Sequence, residues 1–124
     1  MATNFTLTID GKIYNSDDIT SELITSSLVK KETEFVILEP EKPIHDSLYL
    51  QYAAAVEIRF LSPAGEMSHY SYIPDSGEEI VPMFLNYFTK NEIPDIQGWQ
   101  DITSSFRPHL LKRIMNRFKK RENE

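Results

Sequence analysis

The 124-residue sequence has no cysteine, which excludes disulfides, thiolate chemistry and cysteine-ligated zinc at one stroke. It fits a reducing compartment, and a cytoplasmic protein is the expectation. Long apolar runs are also missing. The most apolar stretch, Tyr52 to Leu61, is broken by Glu57 and Arg59 and is far shorter than the ~20 residues that span a bilayer. The opening residues Met1 to Asn4 have neither the basic nor the apolar region of a secretory signal. Only three histidines occur, His45, His69 and His109, at spacings that match no pattern such as His-Glu-x-x-His. No catalytic, metal or nucleotide motif stands out, and no cofactor or metal is expected.

What the chain does have is a charge inversion. Residues 1–106 carry six Lys/Arg against 17 Asp/Glu, whereas Arg107 to Arg121 hold seven basic residues and no acid. The net charge of −6 therefore hides an acidic body joined to a basic tail. Summed charges of this kind steer encounters over about a Debye length, ~10 Å.

Length and composition predict one domain over residues 1–124. Phe5, Leu7 and Ile9 alternate with threonines up to Asp10-Gly11, a two-residue turn signal, so a β-hairpin opens the domain. The cap-rich cluster Asn15 to Asp18, followed by Ile19, Leu23, Ile24 and Leu28, predicts a helix from about Asp17 to Val29. Phe35 to Leu38 reads as a buried central strand, ended by Pro40 and Pro43. Alternation then predicts strands around Leu48–Tyr52, Val56–Phe60 and Ser68–Tyr72, with turn chemistry at Ser62 to Glu66. Ile80, Val81, Phe84, Leu85 and Phe88 share a helical face; Pro82 implies a helix start there or an irregular first turn. Trp99 is expected to anchor the loop after it. A basic helix over about 108–121 carries the apolar stripe Leu110, Leu111, Ile114, Met115 and Phe118, a potential dimer seam if exposed. The resulting fold class is α+β, a mostly antiparallel sheet of about five or six strands with two or three helices on one face.

Candidate functional residues fall into groups. Glu57 and Arg59 share one strand face, where cross-strand ion pairing is the simpler role; His69 on a neighbouring strand is the one histidine with carboxylate or guanidinium company. Glu78-Glu79, like Asp17-Asp18, sits at a predicted helix start, where the helix dipole favours acids. Tyr49, Tyr70 and Tyr72 belong to a tyrosine-rich meander, and tyrosine is frequent among interface hot spots. With the loop acids Glu41 and Asp46, the set Tyr49, Glu57, Tyr70, Tyr72, Glu78 and Glu79 forms the expected partner-binding surface. Lys112, Arg113, Arg117, Lys119, Lys120 and Arg121 are the candidate anion-binding residues. They suit a phosphate backbone, an anionic membrane or a clamp onto the acidic body.

The succession Phe35-Val36-Ile37-Leu38-Glu39-Pro40, Leu48-Tyr49-Leu50-Gln51, Val56-Glu57-Ile58-Arg59, Glu79-Ile80-Val81 to Tyr87-Phe88, and Trp99 resembles the small immunity proteins of bacterial polymorphic-toxin systems. The resemblance covers roughly residues 35–99. It implies a cytoplasmic, non-enzymatic protein that binds and neutralises a toxin domain, with charge complementarity speeding capture. A nucleic-acid or nucleoprotein regulator is the alternative, acting as a DNA mimic or through the basic tail in the manner of a phage inhibitor. A small enzyme built around His69 is a third class.

Overall fold

The computed structural model describes residues 3–105. Seven strands form one antiparallel sheet: β1 (Phe5–Ile9), β2 (Lys12–Asn15), β3 (Val36–Pro40), β4 (Ser47–Ala53), β5 (Ala55–Leu61), β6 (Met67–Tyr72) and β7 (Gln100–Asp101), in spatial order β2-β1-β3-β4-β5-β6-β7. The helices are α1 (Ser21–Val29) and α2 (Gly77–Lys90). The expected α+β architecture is thus present, with one strand more than the upper expectation. The extra strand, β7, has two residues and no alternation to betray it. The predicted basic helix at 108–121 lies outside the described residues.

Strand alternation sorts the side chains onto two faces. The register Leu7↔Leu38, Leu38↔Leu50 and Leu50↔Ile58 lines up one apolar row, and Val36↔Tyr52↔Val56 lines up another. Both helices pack over these rows. Ile24 and Leu28 of α1 and Ile80, Phe84 and Tyr87 of α2 join them in one buried core. Phe5 closes it against Tyr87 and Phe88, with ring centroids 6.0 and 5.3 Å away. The other face carries Thr8, Ile37, Gln51 and Glu57 in one row and Glu39, Tyr49, Arg59 and His69 in the next. Among the described residues no helix packs on that face.

Two helix boundaries differ from expectation. Ser16–Asp18 forms a 3-10 turn, and α1 starts only at Ser21, where the Thr20 hydroxyl accepts the Leu23 N–H at 3.0 Å. That threonine, and not the Asp17-Asp18 pair, caps the helix. Pro82 lies inside α2 and does not start it. Pro82 is exposed, and burial of Ile80, Phe84 and Tyr87 outweighs the hydrogen bond that its ring nitrogen cannot make. The helices meet closely where α2 begins. A Cβ on Gly77 would stand 2.1 Å from the Leu28 carbonyl oxygen, so only glycine fits.

Candidate functional site

The predicted partner-binding residues do not converge on one surface. They divide among three places set by the sheet.

The first is the end of the sheet where β3 finishes. Glu41 is exposed; its N–H donates to the Asn4 carbonyl at 2.8 Å and its Oε2 accepts from Asn4 Nδ2 at 3.1 Å. The loop then buries Ile44 and reverses through His45 and Asp46, whose φ values of 48° and 68° both lie in the left-handed region. Ile44 and Ser47 exchange backbone hydrogen bonds of 3.1 and 2.8 Å, the closure of a tight two-residue turn. Such turns favour glycine and asparagine, so this pair holds a strained conformation and projects two exposed polar side chains. The Ser47 hydroxyl donates to the Ile44 carbonyl at 2.5 Å and lies 2.9 Å from the Tyr87 hydroxyl, which fixes the turn to α2. Burial pushes the Tyr87 phenol up from its ordinary value. Beside this loop a cleft of about 440 Å³ opens between β1 and the 3-10 turn, lined by Asn4, Phe5, Thr6, Asn15, Ser16, Asp17 and Glu41. Asp17, Asp18, Glu41, Asp46 and Glu66 are all exposed at this end.

The second place is the sheet face opposite the helices. Arg59 Nε donates to His69 Nδ1 at 3.0 Å, and His69 Nε2 lies 2.6 Å from Glu57 Oε1. Since Nδ1 accepts, the network assigns the ring proton to Nε2, which donates to the carboxylate. The Tyr49 ring covers the guanidinium at 5.3 Å, a cation–π contact. His69 and Arg59 are 1% and 5% exposed. Desolvation pushes the Tyr49 phenol up to about 12, with Arg59 opposing and Glu57 and Glu39 reinforcing the shift. In place of the expected direct ion pairing, Glu57 and Arg59 each hydrogen-bond the one imidazole between them. Tyr49 and Glu57 serve it.

The third place is the helix side. Tyr70 packs edge-on against Phe60, with centroids 6.0 Å apart. Tyr72 stacks on Trp99 at 5.5 Å and donates its hydroxyl to Glu79, a bond that raises the Tyr72 pKa. Trp99 thus anchors its loop as expected. Glu79 also accepts the Asp75 N–H at 3.2 Å, closing the start of α2. Glu78, next to it, is exposed at the sheet end opposite Glu41. The six cations from Lys112 to Arg121 lie outside the described residues.

Among the described residues no three His, Asp or Glu side chains are grouped to hold a metal, and no helix is long and apolar enough to cross a membrane. The His45-Asp46 turn and the Asn4–Glu41 contact are not legible in the sequence. Neither residue pair carries a conventional turn signature, and the contact joins positions 37 residues apart. Comparison with protein-family models, with curated proteins and with solved structures finds no match.

Proposed function

We propose that the protein is a non-enzymatic inhibitor that captures a basic protein, as an immunity protein captures a toxin domain, and that it does so with the acidic end of its sheet. The supporting observation is the set of exposed carboxylates at that end of the sheet: Asp46 on the strained His45-Asp46 turn, and Asp17 and Glu41 in the lining of the polar cleft. Strain of this kind costs on the order of 1–3 kcal/mol, and it persists at sites where a side chain must be held in place. Exposed carboxylates at one end of a rigid sheet accelerate association with a cationic surface and select against anionic ones. Asp17 and Glu41 in the cleft lining are carboxylates suited to hydrogen-bond a lysine or arginine side chain.

Tyr49 and Glu57 are engaged with Arg59 and His69, and Glu79 with Tyr72 and Asp75, so contacts through those residues have no part in this reading. The test is affinity capture from the native host at moderate salt, with and without nuclease. A stoichiometric protein that survives nuclease and is lost when Glu41→Lys and Asp46→Lys are combined supports the proposal. Recovery of nucleic acid alone, or a protein partner indifferent to those reversals, overturns it.

A further inference from the structure

The sheet has two edges, and the fold treats them differently. At one, β7 is only two residues long. At the other, β2 is a regular four-residue strand that pairs, among the described residues, with β1 alone. Its Lys12, Ile13 and Asn15 are exposed, Ile13 by 66%, so this edge is open.

Hydrogen-bond phase fixes what the edge offers. The Asp10 N–H donates to the Phe35 carbonyl at 3.1 Å and the Glu41 N–H to the Asn4 carbonyl at 2.8 Å, so even-numbered residues of β1 bond β3 and odd-numbered ones bond β2. Asp10 and Gly11, with φ of 49° and 91°, form the type I′ turn that suits this phase and closes on the pair Ile9 and Lys12. Lys12 and Tyr14 thus direct their backbone groups at β1. The N–H and C=O groups of Ile13 and Asn15 point outward, away from every described strand.

We infer that this edge pairs with the same edge of a second copy, antiparallel about a twofold axis at Ile13, joining the two seven-stranded sheets into one. In that register the strand is self-complementary. Ile13 meets the second copy's Ile13 and exchanges both outward hydrogen bonds with it, Gly11 pairs with Asn15, and Lys12 lies opposite Tyr14 on each side of the axis. Lys12 already sits over its own Tyr14 ring, 5.0 Å from the centroid, so the seam brings a second aromatic ring to a cation oriented for one. Ile13 lies on the other face, and pairing covers it with its own symmetry mate. Neighbouring registers are poorer: a shift one way sets Lys12 against Lys12, and a shift the other way leaves Ile13 facing Asn15. A foreign strand would have to bring an apolar and an aromatic residue to the same two positions, and a second copy carries both.

The seam is short, so the dimer is reversible and concentration-dependent. A net charge of −6 on each copy opposes it, and physiological salt, with a Debye length of about 8 Å, screens that repulsion. Antiparallel pairing sends the two acidic ends in opposite directions. Self-pairing is therefore independent of the capture of a basic partner.

The test is sedimentation equilibrium of the purified full-length protein, with no partner added, from about 1 µM to about 1 mM at physiological salt. The mass should rise from 14.4 kDa toward twice that value. Ile13→Lys places a charge on the axis at an exposed position, and should weaken association at least about tenfold with the urea midpoint of the dilute protein unchanged. Because the chain has no cysteine, Ile13→Cys should oxidise to a disulfide-linked dimer across a Cα separation of about 5.5 Å. Ile73→Cys, 78% exposed but away from this edge, should do so at least about tenfold more slowly. A mass of 14.4 kDa at every concentration overturns the inference, as does a dimer that Ile13→Lys leaves intact. Equal oxidation of the two cysteine chains overturns the axis at Ile13. A monomer whose Ile13→Lys variant loses a captured protein overturns self-pairing and assigns the edge to that protein's strand.

Discussion

The two faces of the sheet are built from the same strands, yet they are held by different physics. On the helix side Leu7, Leu38, Leu50 and Ile58 meet Ile24, Ile80 and Phe84, and order there comes from apolar burial and close packing. On the other side β5 alternates to present Glu57 and Arg59, and order comes from directional bonds to His69 and from the Tyr49 ring. The difference teaches where this protein tolerates change. A packed face fails in proportion to volume removed, whereas a polar network fails when one partner loses its mate.

The largest effect is expected on the packed face. Phe84→Ala should cost about 3–5 kcal/mol, read as a shift in urea midpoint at unchanged slope. A loss below about 1 kcal/mol would mean that α2 is not a principal member of the core.

A smaller effect is expected on the polar face. Arg59→Met keeps much of the stem but deletes the Nε–H that His69 Nδ1 accepts, and should cost about 1–3 kcal/mol. Combined with Glu57→Gln, the double change should cost less than the sum, because both residues act on one imidazole. Strict additivity would show that the three residues do not form a unit.

The smallest effect is confined to alkaline solution and sharpens the contrast without breaking either face. The Tyr49 phenol is raised from its ordinary 10.0 to about 12 by burial, so the folded state resists its ionisation. Its contribution to stability is complete below pH 10, where neither state ionises. It is lost as the pH rises toward about 12, because the unfolded chain releases its proton first. Alkaline melting curves should therefore fall less steeply for Tyr49→Phe than for the parent. Identical slopes would remove Tyr49 from the desolvated layer.

Much of this contrast is legible in the sequence. Alternation in Leu48–Tyr52, Val56–Phe60 and Ser68–Tyr72 encodes the faces directly, and it alone brings Glu57, Arg59 and His69 near one another. The hairpin at Asp10-Gly11 is equally plain, since that dipeptide adopts the positive φ values the turn needs. Less local features are hidden. The burial of His69 depends on how Arg59, Glu57, Tyr49 and Thr103 come together around it, and no residue type announces that. Strand β7 exists because Gln100 and Asp101 find an open edge at Ser71 and Tyr70, a tertiary accident that propensity cannot register. Pro82 misleads for a related reason, since local helix chemistry opposes it and only the core beneath α2 decides the matter. At the acidic end the exposed carboxylates are visible one by one. Their assembly around the His45-Asp46 turn requires the fold.

That assembly carries the functional account. The most direct measurement is the affinity of a captured protein partner for three full-length variants: Glu41→Lys with Asp46→Lys, Glu78→Lys, and Gln51→Lys. The account predicts a loss of about tenfold or more, mainly in association rate and strongly dependent on salt, for the first variant. The other two, at the opposite end of the sheet and on the face away from the helices, should stay within about twofold of the parent. A loss concentrated in Glu78→Lys or Gln51→Lys, with the acidic-end variant binding normally, would contradict it.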